Sequence, residues 1–348
     1  MFGLGDKSVV GLDIGSSSVK VCELKKTRHG MLLTAGGIEP LAPDTVVDGA
    51  IMDANNVSEA IERLYQVNRI KNQRVATSVS GHSVICKKIS VAPMSEQELA
   101  ESIQWEAEQH VPFDISDVNL DYQVLKSSNP TAMDILLVAV KKDKIWNHTQ
   151  AVIQAGKTPA VVDFDAFAVQ NAYENSYGPA PSVCVGLLNL GASVLNINVV
   201  KNGESLFTRD VSIGGNQYTD AFQKELNLSF EEAEKIKLGK NVSGVDEETR
   251  RQLIQSVSEI LLLEVRKTFD FFRSSPAGET IQRAYLSGGG ARVEGLLNYL
   301  QQKLGIPVEL LDPFRKIEWD STRLNGTLLK ENAPSMSVVM GLALRSFD

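Results

Sequence analysis

Three stretches combine residue types able to hold an anion and a metal. In VVGLDIGSSSVKVCEL, residues 9–24, Gly15 is followed by Ser16, Ser17 and Ser18. A tight bend of small residues aims backbone N–H groups inward, and the hydroxyls add donors suited to phosphate oxygens. Asp13 closes the incoming strand, where a carboxylate can hold Mg2+ through water. Lys20 returns on the next strand as a point charge for a terminal phosphate. Alone, these residues are equally a Gly-Ser hairpin with an exposed Asp and Lys. GLLNLGASVLNINVV, residues 186–200, repeats the shape with Gly191, Ala192 and Ser193 at its tip, so two hairpins could clamp one polyphosphate from both sides. The third stretch, AYLSGGGARVEGL at 284–296, reads as a strand, a turn of Gly288, Gly289 and Gly290, and a helix beginning near Arg292. Backbone approaches a flat ligand closely only where side chains are absent, which suits a nucleoside. This turn lies too late in the chain for a GxGxxG dinucleotide site, and no GxxxxGK[ST] phosphate loop occurs.

The elements that must position these residues fall into two halves that begin alike. Strands are expected at 8–14, 19–24 and 31–38, and again at 183–190, 194–200 and 205–211, from apolar runs broken by small-residue turns. A helix follows each triplet, at 57–67 behind an Asn56/Glu59 capping pair and at 216–226 after Gly214-Gly215. Between the halves, residues 84–158 read as a small α+β insertion. It holds a strand at 84–91, a helix capped by Ser95 and Glu98, strands at 118–125 and 134–140, and a helix at 144–155. Leu99, Ile103, Ala107 and Val111 form one inward stripe on the first of these helices. In the second half, Ser229 and Glu232 cap a short helix, and a long amphipathic one runs from about 249 to 272.

The chain has 348 residues, 43% of them hydrophobic, and a formal charge of −8. That length suits two domains with real cores. An acidic balance without a Lys/Arg run argues against nucleic acid as a partner, since such binding displaces counterions with dense positive charge. Cys22, Cys86 and Cys184 lie far apart, so reduced thiols are expected. MFGLGDK lacks the pattern of a signal peptide, and runs such as 135–140 and 260–263 fall far short of the roughly 20 residues that span a bilayer. A cytoplasmic protein without direct membrane insertion is the expectation.

Taken in order, the three motifs resemble the nucleotide site of the actin, Hsp70 and sugar kinase superfamily, and the halves resemble its two ribonuclease H-like domains. The resemblance implies an α/β fold of two actin-like domains binding ATP and Mg2+. Gly11, Asp13, Gly15, Ser16, Ser17, Ser18 and Lys20 match its first phosphate motif, and Asn189, Gly191, Ala192 and Ser193 its second. Gly288, Gly289, Gly290 and Arg292 match the adenosine motif, with Arg292 against the adenine. Glu234 and Lys237 match the pair contacting ribose and adenine, although an i,i+3 ion pair on a solvated helix face is the plainer reading. Gly214 and Gly215 join the cofactor-binding set. Asp165 takes the place of the group that positions the attacking water, and also sits where a helix N-cap would.

The insertion is similar to that of FtsA-type proteins, and IQWEAEQHVPFDISDVNLDYQVL at 103–125 resembles the PilM family of type IV pilus assembly. Residues 1–83 and 159–181 then form the first domain, 84–158 the insertion, and 182–348 the second domain, with a helical subdomain at about 229–275. The resemblance implies an ATP-binding cytoplasmic adaptor, drawn to the inner membrane by the cytoplasmic N-terminal tail of a PilN-like partner and lying near the pilus assembly ATPase. Trp105, Pro112 and Phe113 would help shape the peptide groove, beyond ordinary packing at a helix end. A small-molecule kinase of the superfamily and an FtsA-like filament protein are the competing readings. One departure matters: the second phosphate motif usually begins with Asp, and here Asn189 can accept from a metal-bound water only weakly and cannot act as a base. Hydrolysis is therefore expected to be slow or absent.

Overall fold

A computed structural model describes residues 8–125, 131–275, 278–320, 324 and 326–347. Strands β1 (Val10–Ile14), β2 (Ser18–Lys26) and β3 (Met31–Pro40) form an antiparallel meander. A small hairpin of β4 (Val46–Val47) and β5 (Ala50–Ile51) leads to α1 (Ala54–Val67), and β6 (Arg74–Val79) returns parallel to β1. The N-cap of α1 is Asp53, whose side chain accepts from the Asn56 N–H at 3.0 Å, and not Asn56. The helix starts earlier than its apolar stripe because Asp53 satisfies the free N–H groups of the first turn.

The insertion consists of β7 (Val84–Val91), α2 (Glu96–Glu108), β8 (Val118–Val124), β9 (Met133–Lys141) and α3 (Lys142–Gln154). Its strands form a separate sheet in the order β7-β9-β8. Leu99, Ile103, Ala107 and Val111 are buried on that sheet, and the Ser95/Glu98 capping box forms. The chain then rejoins the first sheet through β10 (Thr158–Phe164) and enters α4 (Asp165–Tyr177).

The second half repeats the meander as β11 (Val185–Leu190), β12 (Leu195–Lys201) and β13 (Glu204–Val211). Helices α5 (Asn216–Leu226), α6 (Phe230–Lys237) and α7 (Glu247–Arg273) follow, and β14 (Arg283–Ser287) returns parallel to β11. Then come α8 (Leu296–Leu304), β15 (Val308–Leu310), β16 (Ile317–Trp319), α9 (Gly326–Glu331) and α10 (Ser337–Leu344). The glycine turn runs into a 3-10 turn at Gly289–Arg292, so α8 begins four residues later than Arg292.

The two sheets, β10-β6-β1-β2-β3-β16 and β13-β12-β11-β14-β15, share one pattern: a three-strand antiparallel meander flanked by parallel strands. The central β1 and β11 are buried along their whole length, which is why their sequences are nearly continuous apolar runs. Helices α4 and α10 cross between the sheets. With Val9 and Ala76 of the first half and Val185, Leu187 and Tyr285 of the second, they form one shared core. The division at 182–348 departs from the sheets at its end. Strand β16 pairs with β3, and Met336, Val339, Met340 and Ala343 pack with Cys22, Leu24 and Leu33 of the first half. Residues 317–319 thus extend the first sheet and α10 packs against both halves, a return that local periodicity does not encode.

Candidate functional site

Both hairpins close in the same way. The Gly15 N–H donates to Ser18 O at 3.1 Å, and the Gly191 N–H donates to Val194 O at 2.9 Å. That donor is consumed by the turn, so the first bend does not offer every N–H to a ligand as its sequence suggests. Nor does Gly15 lie in the left-handed region. Its glycine is explained by space, since a Cβ would stand 3.3 Å from Ser18 O and 3.5 Å from Lys20 Nζ.

The tips of the hairpins face one cleft of about 240 Å³ between the halves. From the first half it is lined by Asp13, Gly15, Ser16, Ser17, Ser18, Lys20 and Asp165. The second half contributes Asn189, Gly191, Ala192, Ser193, Gly215, Glu234, Lys237, Gly288, Gly289, Gly290 and Arg292. Among the residues singled out from the sequence, Gly11 and Gly214 lie outside this lining. A Cβ on Gly11 would come within 2.3 Å of Val339 O in α10, and one on Gly214 within 2.3 Å of Ala192 O. Both glycines serve backbone packing.

The remaining glycines divide by the same test. Gly288 has φ +85° and a Cβ there would meet Leu190 O at 2.2 Å; at Gly290 it would meet Leu190 Cγ at 2.5 Å. These two let the glycine turn lie on β11. At Gly215 and Gly289 the nearest atoms to a Cβ are 3.7 and 3.9 Å away. Nothing in the protein excludes a side chain at these two positions, and both border the cleft, so the missing side chain leaves room for something bound there.

Charge is arranged in pairs. Asp13 stands opposite Lys20 across β1 and β2, and their side chains form a mostly buried ion pair at 2.8 Å. On α6, Lys237 pairs with Glu234, but it is no solvated face. Lys237 is buried, donates to Thr219 Oγ1 at 2.9 Å and reaches Gly215 O, and its burial lowers its pKa. Asp165 is the first helical residue of α4, after an N-cap at Phe164, and its Oδ1 accepts from Ser78 Oγ at 2.5 Å instead of capping the helix. Burial, and then the nearby Asp13 carboxylate, push the Asp165 pKa up to about 6. A buried ammonium from the insertion, Lys144, donates to Gly49 O beside the cleft and sits in the field of Asp165, Asp143, Asp210 and Asp48.

Asn189 has a role that its motif conceals. Its Oδ1 accepts from Ser287 Oγ at 3.3 Å, its Nδ2 donates to Asn196 Oδ1 at 2.8 Å, and Asn196 Nδ2 donates to Asp210 Oδ1 at 2.8 Å. The three side chains stand in one row across β11, β12 and β13. The other oxygen of Asp210 accepts from the Gly81 N–H of the first half at 2.5 Å, and His82 meets Ser212 at 2.9 Å. The amide thus relays a hydrogen-bond chain that ends on a carboxylate bridging the halves. Asn196 could have been found from hairpin register, since the Gly191 tip places it opposite Asn189. Asp210, Lys144 and Gly49 carry no local signal. Phe230, Asn332 and Ser335 also line the cleft and were missed.

A family model described as type IV pilus assembly protein PilM matches residues 11–347. A chain of a solved PilM-PilN type IV pilus biogenesis complex is 26% identical with a TM-score of 0.88, over 98% of this chain and 99% of that one. The ethanolamine utilization protein EutJ from Carboxydothermus hydrogenoformans is 15% identical with a TM-score of 0.58, over 97% of this chain and 89% of that one. MreB5 of Spiroplasma citri bound to ADP is 13% identical with a TM-score of 0.51, over 96% and 94%. The last two likenesses concern the fold, which is actin-like. On the match across 337 of its residues, from 11 to 347, the chain belongs to the PilM family of type IV pilus assembly proteins.

Proposed function

We propose that the cleft binds ATP with Mg2+ and that the protein is an adaptor of type IV pilus assembly, in which bound nucleotide holds the two halves together. The supporting observation is the pair of equivalent hairpins aimed at one cleft, with Gly215 and Gly289 left open beside it. In this reading Ser16, Ser17, Ser18, Lys20, Gly191, Ala192 and Ser193 hold phosphates, Glu234 and Lys237 the sugar, and Arg292 the base. Asp13 holds the metal through water, and Asp165 orients a water. Magnesium, when bound, would neutralise phosphate charge.

The relay through Asn189 supports slow hydrolysis. An aspartate there would set a carboxylate against Asn196 Oδ1, so the variant Asn189→Asp is expected to lose about 1–3 kcal/mol of stability. If the new carboxylate acts as a general base, single-turnover hydrolysis should rise about 10²- to 10⁴-fold. A brisk wild-type ATPase unchanged by the substitution would show that Asp13 and Asp165 suffice.

For the partner, the similarity to a chain of the PilM-PilN complex supports a PilN-like protein; its N-terminal tail is placed here as a proposal, beside the insertion, held by main-chain pairing in a groove. No helix among the described residues is long and apolar enough to cross a membrane, so this tail would supply the attachment. The pilus assembly ATPase is a second proposed neighbour. On α2 the inward stripe is buried, while Gln104, Trp105 and Gln109 are exposed, so Trp105 is not part of the core. Titration of a synthetic PilN-like tail should show Gln109→Lys binding at least tenfold more weakly than wild type. Crosslinks from the tail to the second half would overturn this placement.

A further inference from the structure

Phe230 is the first residue of α6, lines the cleft and is 38% exposed. Among the described residues it joins neither hydrophobic cluster of the second half, whereas Ala233 and Ile236 of the same helix are buried in the core. Phe230, Glu234, Lys237 and Leu238 follow at helical spacing and all border the cleft, so one face of α6 is given to it. The N-terminus of α6 is not an anion site. Ser229 Oγ accepts from the Glu232 N–H at 3.3 Å, and the Glu232 carboxylate accepts from the Ser229 N–H at 3.0 Å, closing the capping box. What this end of the helix offers a ligand is an aromatic plane that contributes little to the fold.

The glycine turn and Arg292 line the same cleft as Phe230. Gly289 leaves space, and Arg292 is tied to Asn332 through its guanidinium, which orients that planar group. An aromatic ring and a guanidinium plane that line one cleft are both surfaces on which a nucleobase stacks.

We infer that Phe230 is the face on which the base of the bound nucleotide stacks, so that the cleft selects purine nucleotides over pyrimidine nucleotides and over bare triphosphate. The inference rests on the nucleotide reading above and goes further, because it assigns base selection to a residue of the helical subdomain. A purine presents the larger π surface and gains more from the ring than a pyrimidine does. Stacking is sequence-tolerant among purines, so little discrimination between adenine and guanine comes from Phe230 itself.

The test is calorimetric titration of ATP, CTP and inorganic tripolyphosphate into the full chain and into Phe230→Ala and Phe230→Trp. In Phe230→Ala, ATP should bind about 5- to 100-fold more weakly, the ATP-to-CTP preference should shrink, and tripolyphosphate should bind as in wild type. Phe230→Trp should retain ATP affinity, with its added fluorescence quenched by ATP and not by tripolyphosphate. Unchanged ATP affinity in Phe230→Ala would overturn the stacking role while leaving the nucleotide reading intact. Equal loss of ATP and tripolyphosphate would also overturn it, assigning Phe230 to the shape of the cleft. If wild type binds neither ATP nor CTP, the nucleotide reading itself fails, and that outcome is distinct from both.

Discussion

Gly341→Val should leave no cooperatively folded protein, and Gly341→Ala should lose about 3 kcal/mol or more. The reason is a backbone contact. Gly341 lies in the middle of α10, where a Cβ would fall 1.7 Å from Ala168 O and 2.4 Å from Ala168 C in α4. A flexible side chain could move aside, but a helix carbonyl cannot, so the two crossing helices must separate. On its other side α10 is held by β1, since Gly11 brings that strand against Val339 O and Ala343 N. There is no direction in which α10 can retreat without opening the core shared by both halves. Stability of an ordinary domain is only about 5–15 kcal/mol, so the loss is a large fraction of it. The effect should reach the cleft as well. Asp165 begins α4, and the 3-10 turn that enters α10 carries Ser335 on the cleft wall. Thermal unfolding and ATP titration of Gly341→Ala check both. A variant as stable as wild type would show that α4 and α10 are not locked together at this point.

Asp13→Ala should weaken binding of ATP with Mg2+ by about 100-fold or more, a loss of roughly 3 kcal/mol, while the protein still folds. Asp13 is mostly buried at the cleft, and its carboxylate is held by Lys20 at 2.8 Å. With the carboxylate removed, Lys20 loses its partner and keeps its charge, so attraction to bare phosphates is preserved or raised. The expected signature is therefore selective. Affinity in magnesium collapses, affinity in EDTA does not, and Asp13→Asn behaves like alanine because the amide brings no charge. Folding should survive because β1 pairs with β2 and β6 through its backbone. Equal magnesium dependence in wild type and variant would remove Asp13 as the metal-orienting group.

Much of the site is written in short-range chemistry. Each hairpin is a small-residue turn between apolar runs, and both close as their sequences require. The capping boxes at Ser95/Glu98 and Ser229/Glu232 form because each needs only residues three apart. Helix α1 shows where such reading stops: Asn56 and Glu59 have the right spacing, but Asp53 reaches the free N–H groups first. The triple glycine is legible as a close backbone approach, yet sequence alone does not separate Gly288 and Gly290, which β11 requires, from Gly289, where a Cβ would meet nothing nearer than Ser335 Oγ at 3.9 Å.

By itself, the sequence determined the two repeated halves, the insertion between them, the strands that carry the two glycine hairpins, and the absence of a carboxylate at position 189. All of these follow from periodicity, turn chemistry and residue identity within windows of a few residues. Only the tertiary structure decided that residues 317–319 return to the first sheet, that Lys237 is buried, and that the Asn189 amide passes a hydrogen-bond chain to Asp210. These depend on how separate elements pack: Ile317 of β16 lies opposite Met31 of β3, Lys237 of α6 meets Thr219 of α5, and Asn196 of β12 meets Asp210 of β13. The pattern along a chain records which face of an element is apolar; it does not record which distant backbone will lie against that face, and that pairing is what sets the charge and the space of the cleft.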